Sequence, residues 1–231
     1  MEYAVIIAFL IFILILLAVI YKFSMKEVKA MAEDEQLDNI IKKMPENKQI
    51  CEEILKKLNN TDVKIEEDEK ASNCLYIAVT NKIIIGNLRQ SYTRVQTIAH
   101  ECLHSVQDKR ILKFNFIYSN IYLLYFAIIS ILALFKVLPY QMTFLSILII
   151  ASYVYYFVRS YLENDAMTKA RFLAKEYMEE RNILEKQEIN KVVMKYDKLN
   201  NLGIKFTNYD LMFKTVIKII IFAIICMLKM S

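Results

Sequence analysis

The sequence predicts a mainly helical membrane protein with three to four membrane-crossing helices and a small α+β domain on the cytoplasmic side. Three observations carry this. Hydrophobic residues make up 56% of the 231 residues, above the usual share for a soluble domain, and they are clumped. The chain has two Gly and two Pro, which argues against a loop-rich or all-β fold. The charged residues gather in two blocks between apolar stretches.

Residues 3–21 carry no charge. Nineteen helical residues span roughly 28 Å, about a bilayer core. With no basic n-region and no small-residue cleavage site, 1–21 reads as a retained anchor and not a removed signal peptide. Residues 22–113 form the small domain. The stretch 22–60 reads as helical with a break at Pro45, and Ile50, Ile54, Leu55 and Leu58 share one face. Asn59-Asn60-Thr61 is a turn signal. Short strands follow at 63–66, 75–80 and 82–85, the last two a hairpin around Asn81. Ser91 or Thr93 then caps a helix running to about Lys109.

Residues 114–158 contain one charge, Lys136. They read as a membrane hairpin, 114–135 and 138–158, turning at 136–140. A charged helical segment fills 159–212. The tail, 213–231, is apolar but carries Lys214 and Lys218; it reads as a fourth span whose lysines snorkel, the alternative being an interfacial helix. Orientation follows from the basic residues: 16 Lys and Arg in 22–113 and 10 in 159–212, against one in the hairpin turn and none before Tyr3. By the positive-inside rule the N-terminus is outside and both charged segments are cytoplasmic.

Composition also excludes functions. Gly86 and Gly203 are the only glycines, too few for a P-loop, a dinucleotide-binding turn or a nucleophile elbow. Cys51, Cys74, Cys102 and Cys226 are scattered without a CxxC pair, so they read as free buried thiols in a reducing compartment. No basic stripe with interleaved aromatics points to nucleic acid. The net charge of +5 suits an anionic inner leaflet.

The chemistry lies in His100-Glu101-Cys102-Leu103-His104, an HExxH holding the only two histidines of the chain. Residues four apart on a helix share a face, so both imidazoles can bind one Zn²⁺. Glu101, about 100° around from His100, can reach a water at the metal and act as general base. Val95, Ile98, Ala99, Cys102, Leu103 and Val106 form an apolar stripe that pins the helix to a core. Cys102, two residues on from His100, points to the far side. A catalytic zinc takes three protein ligands and keeps a position open. With no third histidine, the remaining ligand should be a carboxylate, and Glu163 is the best candidate because the hairpin returns the chain to the same side just before it. Asp165 is placed to hydrogen-bond a ligand histidine from behind. Ala166, Ala170 and Ala174 would let this helix approach the HExxH helix closely.

An apolar anchor, a small domain, HExxHxxQ, a membrane hairpin and then ExDAxxxA resemble the YugP-type membrane zinc metallopeptidases within the gluzincin group. The matching residues are His100, Glu101, His104, Gln107, Glu163, Asp165, Ala166 and Ala170; Leu103 stands where the family usually has Gly. The resemblance implies a zincin-like domain and a peptidase whose zinc is held by two His and one Glu. The expected activity is hydrolysis of peptide bonds near the cytoplasmic membrane surface, on membrane-associated polypeptides, with one Zn²⁺. Strand 82–85 is expected to align an extended substrate. Tyr92, Tyr161 and Arg171 are nearby in sequence, and nothing selects an oxyanion helper among them. The competing readings are a non-catalytic membrane sensor or scaffold with a structural zinc, and a small accessory or immunity factor with no metal.

Overall fold

The computed structural model describes residues 1–21, 33–71, 73–88 and 91–228. The start of the helix expected over 22–60 and the end of the last expected span therefore lie outside the described residues. The described residues are mainly helical, at 75%, with a small three-stranded sheet. Its elements are α1 (Glu2–Tyr21), α2 (Glu35–Ile41), α3 (Asn47–Lys57), β1 (Lys64–Asp68), β2 (Leu75–Ile77), β3 (Lys82–Gly86), α4 (Arg94–Val106), α5 (Lys109–Leu134), α6 (Gln141–Arg181) and α7 (Lys186–Met227). They divide into two compact units, one of 1–22, 114–161 and 205–231, the other of 23–113 and 162–204.

The second unit holds the sheet. Strand order is β1-β3-β2. β1 runs parallel to β3, with Ile65 opposite Ile83, and β2 runs antiparallel to it, with Tyr76 opposite Ile83. The expected hairpin is present, but β2 stops at Ile77 and residues 78–81 form the turn. Asn81 takes a positive φ of 47° there, a conformation Asn tolerates better than most residues. β3 turns Ile83 and Ile85 into the core, as strand alternation requires. Gly86 ends β3 where a Cβ would strike the backbone carbonyl of Asn73, so only glycine lets that loop close.

Pro45 separates α2 from α3, as expected. Asp34 caps α2 by accepting from the Leu37 amide at 3.2 Å. The core gathers Ile50, Cys51 and Ile54 of α3, Val95, Ile98, Ala99 and Cys102 of α4, and Ala166, Ala170 and Ala174 of α6. Arg94, only 3% exposed, organises the α2–α3 connection. Its guanidinium donates to the carbonyls of Ile41 (2.9 Å), Met44 (2.8 Å) and Pro45 (2.7 Å) and to Asn47 Oδ1 (2.9 Å). These carbonyls lie at a helix end and a tight turn, where α-helical partners run out; of the three, Ile41 O also accepts the Met44 amide at 3.0 Å.

Two helix boundaries differ from expectation. α4 ends at Val106, not near Lys109, because Gln107 is extended (ψ 161°). Asp108 then starts α5, its carboxylate accepting from the Arg110 amide at 2.8 Å. The helices also run unbroken through 158 and 212. The charged segment between them breaks instead at 182–185, where Asn182 takes φ 52°.

The other unit is built of apolar helices. α1, α5 and α6 are long and apolar enough to cross a membrane. The tail of α7 is not among these three; Asp210, Lys214 and Lys218 interrupt it. It nevertheless packs Phe222, Ala223 and Cys226 into one core with Tyr3, Tyr122, Ile129, Ala133 and Leu148. Tyr118, Tyr122 and Tyr125 of α5 bind Ala151 O (3.1 Å), Ser152 Oγ (2.9 Å) and Phe144 O (3.0 Å) of α6. Large apolar side chains point outward: Phe9, Phe12, Ile121, Leu124, Ile150 and Phe157 are all exposed.

Replacing Arg94 with Met is expected to lower the unfolding free energy of the detergent-solubilised chain by about 3 kcal/mol, since several buried carbonyls lose their donor. Denaturant titration checks this, and a loss below about 1 kcal/mol would mean those carbonyls find other partners.

Candidate metal centre

α4 is amphipathic, and its burial sets the site. Val95, Ile98, Ala99 and Cys102 are buried to within 1% on the core side. Val106, expected on the same stripe, is 42% exposed because it occupies the last helical position. Pinning one face turns His100 and His104 toward α6. There the two Nε2 atoms lie 3.0 Å apart. Glu163 Oε2 is 3.5 Å from His100 Nε2 and 3.6 Å from His104 Nε2.

These three residues form a group that can hold a metal ion. Bonds of about 2.0–2.1 Å in a tetrahedral arrangement place donor atoms roughly 3.3 Å apart. The observed triangle, 3.0, 3.5 and 3.6 Å, brackets that spacing. The donors are two imidazole nitrogens and one carboxylate oxygen, a set suited to a borderline cation such as zinc. The chain's third expected ligand thus meets both histidines, and the residues present fit the ion.

Gln107 fixes how His104 presents itself. Its amide nitrogen donates to Leu162 O at 2.8 Å and Asp165 Oδ2 at 3.1 Å. That leaves its oxygen facing His104 Nδ1 at 2.8 Å. An amide oxygen only accepts, so Nδ1 carries the proton and the Nε2 lone pair faces Glu163 and His100. Asp165 therefore joins His104 through Gln107, where a direct bond was expected. Its other oxygen pairs with Lys169 at 2.5 Å. Burial pushes the Asp165 carboxyl up, but the bonds from Lys169 and Gln107 outweigh it and hold the pKa below the usual value.

Glu101 is 7% exposed, and its Oε2 accepts the Tyr76 backbone N–H at 2.6 Å. Burial pushes its carboxyl above the ordinary value, against the opposing influence of His100, His104 and the Tyr76 amide. For His104, burial favours the neutral ring, but the Glu163 carboxylate prevails and raises its pKa. The far end of α4 is secured by Asn60, which donates to Ser105 O at 3.1 Å and Ser105 Oγ at 2.8 Å.

Cys102 faces away, its Sγ 3.7 Å from that of Cys51, and all four cysteines are free and buried. Strand 82–85 cannot align a substrate. It is β3, the central strand, paired on both sides. The strand beside Glu101 is β2, an edge strand. Tyr92 is fully buried and stacks on Tyr196 at 6.0 Å, and Arg171 is engaged by Asp197 at 2.6 Å. Sequence reasoning missed the Tyr76 amide, which no side chain announces, and the bridging role of Gln107, whose signal is its spacing three residues past His104.

Comparison with protein-family models, curated proteins and solved structures returns no match to this chain. The purified full chain is expected to take up one divalent ion per polypeptide, and His100→Ala to abolish uptake. Gln107→Leu is expected to weaken metal affinity by about 10–100-fold, measured by competition with a chromophoric chelator. Unchanged affinity would show that the bridge does not orient the ligand.

Proposed function

We propose that this chain is a membrane-integrated zinc metallopeptidase of the YugP-type, gluzincin kind, hydrolysing peptide bonds near the cytoplasmic membrane surface. The observation that carries the reading is the triangle of His100, His104 and Glu163 with Glu101 adjoining it on α4. His100, His104 and Glu163 would hold the zinc. Bound there, zinc supplies Lewis acidity, which makes a water more acidic and a substrate carbonyl more electrophilic.

The remaining work belongs to the protein. Glu101 takes a proton from the attacking water. The water oxygen bonds to the peptide carbonyl carbon. The C–N bond then breaks, and Glu101 returns its proton to the departing amine nitrogen. A carboxyl whose pKa is lifted by burial is better suited to holding the proton between the two transfers than an ordinary one. Tyr76 N–H holds the carboxylate in place. That amide lies on the outer edge of β2, so an extended peptide laid beside β2 by strand addition lies against Glu101.

The membrane reading draws on the three apolar helices and their outward apolar side chains, which in water would be an unfavourable surface. The asymmetry of Lys and Arg supports a cytoplasmic position for the charged segments and, with them, the metal residues. Glu163 lies five residues past the apolar stretch that ends at Val158. The favoured substrates are therefore membrane-embedded or membrane-proximal polypeptides.

Glu101→Gln is expected to retain stoichiometric zinc and to lower cleavage about 10²–10⁴-fold. Comparative proteomics of membranes from cells carrying either form checks it. Substrates should accumulate with the Gln form; indistinguishable membranes, with zinc retained in both, would sink the enzyme reading.

A further inference from the structure

We infer that Lys218 is the recognition point for a partner's membrane helix carrying a carboxylate near the middle of the bilayer. The inference rests on the reading above that the apolar unit lies in a membrane.

The last apolar stretch, 211–228, is interrupted by two lysines. Lys214 is neutralised within its own helix by Asp210, at 2.5 Å. For Lys218, no described residue places a carboxylate within ion-pair distance. Its ammonium instead lies over two aromatic faces, 5.2 Å from the Tyr122 centroid and 5.9 Å from that of Tyr155. It also donates to the Lys214 carbonyl at 3.4 Å. The two rings stack at 5.2 Å with 19° between their planes, and the Tyr122 hydroxyl is tied to Ser152 at 2.9 Å. The rings thus form a fixed platform. Ring faces attract a cation and hold it in place, but they bring no countercharge. An ionisable group inside an apolar bundle is costly to keep, and such groups pair with a partner or line a functional path.

Depth and composition select the partner. Lys218 is the eighth of the 18 residues in 211–228, and Tyr122 is the ninth of the 22 in 114–135. Both are near the centre of their apolar stretches, deeper than the level of lipid phosphates. A negative charge must therefore arrive on something that enters the hydrocarbon. A second copy of this chain cannot provide it. Residues 3–21, 114–135, 138–158 and 211–228 contain no Asp or Glu, and pairing two copies would only bring two lysines together. The partner is a different chain whose membrane helix bears Asp or Glu at mid-depth. Lys218 is partly exposed, so its charge can be reached.

The test uses the full chain in phosphatidylcholine vesicles at pH 8. Fluorescent polyleucine membrane peptides carry a single central Asp, Asn or Leu, and energy transfer to the labelled protein reads association. The Asp peptide is expected to associate about 10-fold more tightly than the Leu peptide. Lys218→Leu should erase that preference and Lys218→Arg should keep it. Equal association of the Asp and Leu peptides overturns the inference. So does an Asn peptide matching the Asp peptide, or a preference that survives in Lys218→Leu. A preference that disappears when phosphatidylglycerol is added also overturns it, since Lys218 would then be reading lipid phosphate. Carbonate-resistant flotation separates the two readings: a chain that fails to float with the vesicles sinks the membrane reading as well, whereas one that floats without peptide preference sinks only this inference.

Discussion

Two imidazole nitrogens 3.0 Å apart with a carboxylate oxygen 3.5 and 3.6 Å away are an uncomfortable arrangement by themselves. The carboxylate can pair with a protonated ring, but a proton joins only two of the three groups at a time. A cation at the centre engages all three. The demand that α4 and α6 meet there shapes the second unit. Ala166, Ala170 and Ala174 keep the α6 side small, and the apolar face of α4 stops it rotating. Gln107 reaches across to Leu162 and Asp165, the residues on either side of the ligand-bearing turn. One amide thereby ties the orientation of His104 to the position of Glu163. Changing either contact changes the metal triangle.

Around this centre the supporting interactions are mostly to backbone. Arg94 gathers carbonyls from the α2–α3 connection, Asn60 anchors the end of α4, and the Tyr76 amide holds Glu101. Such bonds are strong where water is excluded and costly to leave unmade. The other unit obeys a different constraint. Its outward side chains are largely apolar and its cross-helix hydrogen bonds are internal, an arrangement suited to a hydrocarbon surrounding.

Much of the site was legible in the residues. Helical spacing puts His100 and His104 on one face, and with no further histidine the third ligand has to be a carboxylate, for which Glu163 just beyond the hairpin is the best candidate. Length and apolarity disclosed α1, α5 and the first part of α6. What escaped was non-local or had no side-chain signature. The order β1-β3-β2 depends on pairing between distant segments, so the strand expected to lie at the substrate-facing edge, 82–85, is the central one. The Tyr76 amide belongs to the backbone. The unbroken helices through 158 and 212 escaped because composition changes from apolar to charged there without a Gly or Pro, and a change of composition is not a helix stop. Asp165 reads as a direct partner of His104, whereas the structure interposes Gln107 between them.

The central claim is that this chain binds its metal through two imidazoles and one carboxylate and leaves one position open. X-ray absorption spectroscopy of the zinc-loaded full chain tests that directly. The account predicts a first shell of nitrogen and oxygen donors at about 2.0–2.2 Å, with two imidazole signatures and an exchangeable oxygen. A sulfur donor at about 2.3 Å, or a closed shell of four protein ligands, would contradict it.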